Sequence, residues 1–505
     1  MKDQANRLSP LRHGRAVCRL ALSTLCLAIA VLAWAPGTTV ATPFRSLARR
    51  PYALGGRALT LDPVLAGQWF LSAIHAFDFW PTPPPSLVPV RVAVLDSGID
   101  GSHPDFKGRI AVSRSFVGGS PLVDQVGHGT MVAGEILAAA GERPNGQATL
   151  DPVQLLVGKI VSGDQTIDVN AEAEAIRWAA DQGARVINLS LGARRDPLDA
   201  TLDQYSPVED AAVQYAYRKG ALVVAATGNC ESVCPYGFAS YPAALSHVLA
   251  VSAVSNDGST PAFSNRDPRR NDVAAPGVGI VSTFPLDLSM PGCAEPGYSS
   301  CASDPDFRAG DGTSFAAPLA SAAAALLFAV QPSLTAGQVM SILEHTADPP
   351  GGSGHNPESG YGRLDIANAL RALAGPLPPA NSHTGVWAGT GVLRLGGRRN
   401  VIRATLDYYD DPLDVYSIYV RPGEQLAAEV SGQVADGVLV TILPPGTKRL
   451  RILSPRQLAD RALVRAGPAP NISFTYRART AGWYDLELRA IDGSSGSYRL
   501  LVRIA

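Results

Sequence analysis

A doubly wound, mostly parallel α/β sheet followed by a smaller all-β sandwich is the fold this sequence predicts. Two patterns carry the prediction. Between residues 90 and 254, short runs made almost wholly of Val, Leu, Ile and Ala alternate with helical stretches, the signature of crossover units. Beyond residue 383 the runs alternate apolar with polar, and no helix separates them. Strands covered on both faces read as continuous apolar runs, whereas strands of a sandwich alternate.

The chain opens with an export signal over residues 1–41. Arg7, Arg12, Arg15 and Arg19 precede an apolar stretch from Leu20 to Ala35, and small residues follow through Ala41. That stretch falls short of the roughly 20 apolar residues of a stable bilayer span and meets Pro36. Its removal leaves no stable membrane span and moves the formal charge from −1 to −5, by the loss of five basic side chains and one Asp. Residues 42–61 form a short segment, too small for an independent fold.

The parallel sheet is expected from VRVAVLD, VQLLVGKIV, ARVINLSLG, ALVVAATGN and HVLAVSAV. Asp168 caps a helix running to about Gln182, which Gly183 stops; a second runs from Pro207 to Lys219 and ends at Gly220. The Ala-rich stretch from Ser314 to Val330 reads as a buried helix, and two more close the unit near 335–346 and 364–373. Residues 62–374 thus make one domain. A Pro-rich linker spans 375–383, and residues 384–505 make the sandwich, with DVYSIYV, LVTIL, WYDLELRA and SYRLLVRI as strands.

With 46% hydrophobic and 17% charged residues, this composition is that of a globular protein, and the near-zero net charge gives no basic field for nucleic acid. Chemistry concentrates in three motifs. Asp96 ends AVLDSGID, His128 opens GHGTMVAG, and Ser314 lies in GTSFAAP. A hydroxyl is a poor nucleophile until an imidazole takes its proton and a carboxylate holds that imidazole in one tautomer. Asp96 falls at a strand end, His128 and Ser314 at helix openings, and Asn229 follows a strand in AATGN. A helix N-terminus offers free N–H groups to a developing oxyanion.

Taken together these motifs, with NLSLG, AAPGV and GYGRLDIANAL, resemble the subtilisin-like serine proteases (subtilases). The resemblance implies a secreted serine endopeptidase acting through an acyl-enzyme. Ser314 would be the nucleophile, His128 the general base and acid, and Asp96 the orienting carboxylate. Asn229 and the Ser314 N–H would form the oxyanion hole. An α/β-hydrolase is disfavoured, because Ser314 is not in G-x-S-x-G and the triad order differs. Two rival functions share the scaffold: a peptide ligase or cyclase using the same triad, and a non-catalytic binding protein. The family also implies a substrate pocket between Ser190-Leu191-Gly192 and the stretch holding Ala226 and Gly228, with Ser240 near its base. None of these is acidic, so apolar or aromatic P1 residues are expected. Protein or peptide substrates are the expected partners, and the chain is read as a monomer.

Catalysis needs no cofactor on this reading. Structural calcium is allowed by Gln68 and Asp105, which match two family ligand positions, although the loop GERPNGQATLDP departs from the calcium-binding pattern. Cys230, Cys234, Cys293 and Cys301 are an even set in two local pairs, expected as disulfides in an exported chain; a zinc site is disfavoured because no His lies near either pair. Local pairing is the simplest of three connectivities. The segment after residue 384 is similar to the bacterial pre-peptidase C-terminal domain, on DDPLDVYSIYVRPGEQL and RTAGWYDLELRAIDGSSGSYRLLV.

Overall fold

The computed structural model describes residues 67–78, 81, 85–140, 152–163, 165–199, 201–230, 234–288, 300–301, 306–350, 355–377, 393–407, 413–432, 434, 437–447, 459–469, 471–491 and 494–505. The expected export signal, the segment 42–61, Cys293, most of the GERPNGQATLDP loop and most of the expected linker lie outside them.

Seven strands form the central sheet: β1 (Val90–Asp96), β2 (Ile110–Ser115), β3 (Val153–Lys159), β4 (Val186–Leu189), β5 (Leu222–Ala226), β6 (Val248–Val254) and β7 (Val273–Pro276). Their order is β2-β3-β1-β4-β5-β6-β7, and each neighbouring pair is parallel. The five expected strands are all present. β2 and β7 were not expected: β2 is an edge strand with none of its residues fully buried, and β7 is four residues ending in a proline. A small antiparallel sheet of β8 (Ile280–Thr283), β9 (Ser300–Cys301) and β10 (Phe307–Gly310) lies beside it in the chain.

Helices cover both faces. On one side, α1 (Trp69–Ala73), α2 (His128–Ala140), α5 (Thr313–Val330), α6 (Ala336–Thr346) and α7 (Ile366–Ala372) supply the helical part of one apolar cluster. On the other, α3 (Val169–Asp181) and α4 (Pro207–Arg218) close a second. The capping chemistry follows the residues. Asp168 accepts the N–H of Asn170 at 2.7 Å and Thr335 forms a capping box with Gln338, while Gly183 and Gly220 take positive φ just past the ends of α3 and α4. α5 is the spine of the larger cluster, with 16 of its 18 residues buried.

Residues beyond 392 form two packed sheets. One has order β11-β13-β18-β15-β16 and the other β12-β19-β14-β17. The strands are β11 (Leu393–Leu395), β12 (Arg399–Asp407), β13 (Leu413–Val420), β14 (Gln425–Gly432), β15 (Val438–Leu443), β16 (Val464–Ala466), β17 (Asn471–Arg477), β18 (Gly482–Ala490) and β19 (Ser495–Ile504). All pair antiparallel except β11, which runs parallel to β13. Their inward residues, among them Tyr416, Ile418, Leu486 and Leu500, make a third cluster of their own. The all-β expectation holds.

Candidate active site

Asp96 closes β1 at the carboxyl edge of the sheet, where open α/β folds gather their chemistry. Its side chain is only 2% exposed. His128 opens α2, and its Nδ1 lies 2.8 Å from Asp96 Oδ1 and 3.0 Å from Oδ2. A carboxylate at Nδ1 selects the tautomer with its proton there and leaves the lone pair on Nε2. Burial works against a charged ring, but the charge of Asp96, its hydrogen bond and the charge of Asp124 outweigh this, so the imidazole pKa is raised. The His128 side chain keeps 26% exposure, so substrate can reach it.

A second carboxylate sets the position of this pair. Asp124 is buried and collects five donors: Ser97 Oγ at 2.8 Å, the N–H groups of Val126 and Gly127 at 3.0 and 2.9 Å, and Thr130 N–H and Oγ at 2.9 and 2.6 Å. Ser97 in turn donates its N–H to Asp96 Oδ1 at 2.7 Å and accepts from Gly129 N–H at 2.9 Å. Lys159, at the end of β3, donates to the carbonyls of Ser97 and Val123 at 2.7 and 2.9 Å. Gly129 permits the close approach, since a Cβ there would meet Gly98 O at 2.1 Å.

Ser314 is the second residue of α5, in the turn whose N–H groups lack helical partners. Its neighbours bring it to the other three. The Phe315 ring sits 5.5 Å from the His128 ring. Ser190 Oγ donates to Ser314 O at 2.6 Å, and a chain from Ser321 through Asn188 fixes that serine. Asn229, three residues beyond β5 rather than at its very end, accepts from Thr313 N–H and Oγ, both at 3.0 Å. With Oδ1 so engaged, its Nδ2 is the group left to donate.

Residues expected to line the substrate pocket also lie close together. A Cβ on Gly228 would lie 2.2 Å from Ser240 Oγ, and one on Gly192 3.0 Å from Ser240 Cβ. Ser240 N–H donates to Thr227 O at 2.9 Å, while Ala193 and Tyr241 exchange backbone bonds of 2.8 and 2.9 Å. Leu191 packs beside the second cluster and Ala226 is buried at the end of β5. Asp267, which accepts from the Ala239 N–H at 3.1 Å, is already paired with Arg195 at 2.7 Å. Cys230 and Cys234 form a disulfide directly after Asn229. Cys301 lies in β9, with its side chain outside the described residues, as is all of Cys293.

Gln68 Nε2 donates to Val281 O at 3.4 Å, and the Asp105 N–H donates to His103 Nδ1 at 3.3 Å. Among the described residues no group of three or more His, Cys, Asp or Glu could hold a metal.

The family profile for the subtilase family matches residues 89–362, which is more than half of the chain. The chain belongs to the subtilase family. Subtilisin DY from Bacillus licheniformis is 35% identical over 260 residues, covering 51% of this chain and 83% of that protein. Thermitase from Thermoactinomyces vulgaris is 32% identical over 265 residues, covering 52% and 83%. A crystal structure of a lanthipeptide protease shares the fold with a TM-score of 0.52, at 23% identity, over 62% of this chain and 97% of that one. This subtilase is therefore an enzyme, a serine endopeptidase.

Several residues of this subtilase's site escaped the sequence reading. Asp124 had one signal, an acid just ahead of a helix opening. Thr313 lies inside a motif already chosen for its serine. Lys159 had none, because it sits in an apolar strand run where a polar residue discloses no partner, and Asn188 showed only as the first residue of the NLSLG motif.

Proposed function

We propose that this subtilase is an exported endopeptidase that cleaves peptide bonds through an acyl-enzyme on Ser314. As Ser314 Oγ attacks the scissile carbonyl carbon, His128 Nε2 takes the hydroxyl proton. The carbonyl oxygen becomes an oxyanion facing Asn229 Nδ2 and the Ser314 N–H. Collapse breaks the C–N bond, and the leaving amine takes its proton from His128. Water then repeats the sequence and frees the acid. Asp96 holds the ring throughout and stabilises the imidazolium. The observation that carries this reading is the Asp96–His128 contact at 2.8 Å.

Residues 1–41 are read as the export signal, 42–61 as a short leader, 62–374 as the catalytic domain, 375–383 as the linker and 384–505 as a domain of the pre-peptidase C-terminal type. Ser190, Leu191, Gly192, Ala226, Gly228 and Ser240 are read as the P1 pocket and the enzyme as a monomer. A fluorophosphonate probe tests the core claim. The wild-type chain should label within minutes, and S314A should not label at all. Equal labelling of both chains would overturn it.

A further inference from the structure

Side chains alternate along a strand, so register sorts the sheet β12-β19-β14-β17 into two faces. Even-numbered residues such as Ile402, Ala404, Ala428, Leu500 and Val502 enter the sandwich core. The odd-numbered set faces outward and is strongly basic. Arg399 stands directly opposite Arg503, and Arg403 directly opposite the half-buried Arg499; between the two pairs the exposed Val401 stands opposite Leu501, which its neighbours cover to 3% exposure. Arg477 extends the same face from β17, opposite Gln425. Glu429 is the acid at its centre, 3.0 Å from Arg503, while Asp407 lies at the far end of β12. Arg399, Arg403, Arg477 and Arg503 are exposed, and Val401 is 43% exposed among them.

Like charges placed directly opposite each other weaken a sheet. Two such pairs on one face of a chain whose net charge is −1 need a reason other than folding. At about 3.3 Å per residue and about 5 Å between strands, the four central arginines mark a rectangle of roughly 13 by 5 Å. Guanidinium groups match phosphate oxygens in bidentate geometry.

We propose that this face docks the protein onto a membrane carrying anionic phospholipids. A flat basic array with an apolar side chain at its centre fits a plane of headgroups better than it fits a single polymer thread. Val401 would meet the boundary between headgroup and acyl chain. The inference is independent of the chemistry assigned to Ser314.

Flotation of the full chain with vesicles tests it, using phosphatidylglycerol mixed into phosphatidylcholine against phosphatidylcholine alone. Each arginine near such a surface contributes about fivefold in partitioning, so R399S/R499S should weaken binding to the anionic vesicles about 25-fold. The Arg7–Arg19 stretch is common to both chains, so the difference between them reports the sheet. High salt should erase that difference. Thermal unfolding of the sandwich and peptide hydrolysis should both be unchanged, and the first shows that the variant sheet is folded; R403S/R477S serves if the first variant is not. Equal vesicle binding by wild type and folded variant would overturn the proposal. So would a stronger arginine-dependent interaction with duplex DNA or a sulfated polysaccharide at the same salt.

Discussion

At the scale of single residues, Asn229 is set by what holds its other end. Thr313 occupies Oδ1 with two donors, so the amide cannot flip without losing both. N229A should therefore reduce kcat by about 10²- to 10³-fold with little change in KM, the order known for the same replacement in subtilisin. Steady-state kinetics on one defined peptide would check it. S314A should cost about 10⁶-fold, again as in subtilisin, in a chain whose thermal unfolding is unaltered. The raised pKa of His128 makes a second claim. The ring must be neutral to act as base, so the acid limb of kcat/KM should lie above the ordinary histidine value of about 6.5. D124N removes one of the upward causes and should move that limb to lower pH, as a pH–rate profile would record. The motifs holding Asp96, His128, Asn229 and Ser314 were legible because they are local. Lys159 was not, because nothing in a sequence says that a charge will be buried among carbonyls, and Asp124 showed only its place ahead of a helix opening.

Among elements, α3 and α4 lie side by side and bring Glu172 and Glu209 together in their first turns. Both are buried. Burial raises Glu172 to about 7 against its hydrogen bond with Glu209, and burial together with the Glu172 charge raises Glu209 to about 9. A carboxyl raised in the folded state stabilises most below its unfolded value of about 4.5, and that stability is lost as pH climbs through the raised one. The thermal midpoint should accordingly fall between pH 5 and 9. E209Q, which still donates to Glu172, should flatten the decline; an unchanged slope by calorimetry would refute the assignment. Strand and helix existence was readable here because the apolar runs are long and the caps are explicit at Asp168, Thr335 and Gly183. Edge strand β2 was not, since IAVSRS has too few apolar residues to stand out from a loop.

At the scale of the molecule, the sandwich keeps its own apolar cluster, distinct from the two that flank the parallel sheet. A chain ending near Ala374 should then fold and keep its activity on a small peptide. Aggregation of that truncated form on refolding would show that the two parts share a core. The residues proposed as the P1 pocket give a prediction at the same scale, since they come from three separate segments. Asp267 is already paired with Arg195 and so offers no free carboxylate to a cation. Profiling with a peptide library should return apolar or aromatic P1 residues, with selectivity of roughly 10- to 200-fold per methylene change. Dominant cleavage after Lys or Arg would mean the pocket is lined by other residues. The surroundings of these residues were only partly readable beforehand, because Tyr241 and Asn265 reach Ala193 and Ser240 through tertiary contacts that no local pattern encodes.

The helix that carries Ser314 has one more implication. Its 18 residues have a mean hydropathy of 1.8, long and greasy enough to be arrested in a bilayer while the chain is still unfolded. Eight of them are alanine, the side chain that lets a helix be enclosed tightly by its neighbours while adding little affinity for lipid. On the proposed export route, that choice meets two opposed demands: the segment passes the translocation channel as a passenger and then packs into the interior as its spine. Leucines in those places would overpack the core and raise the segment's affinity for lipid.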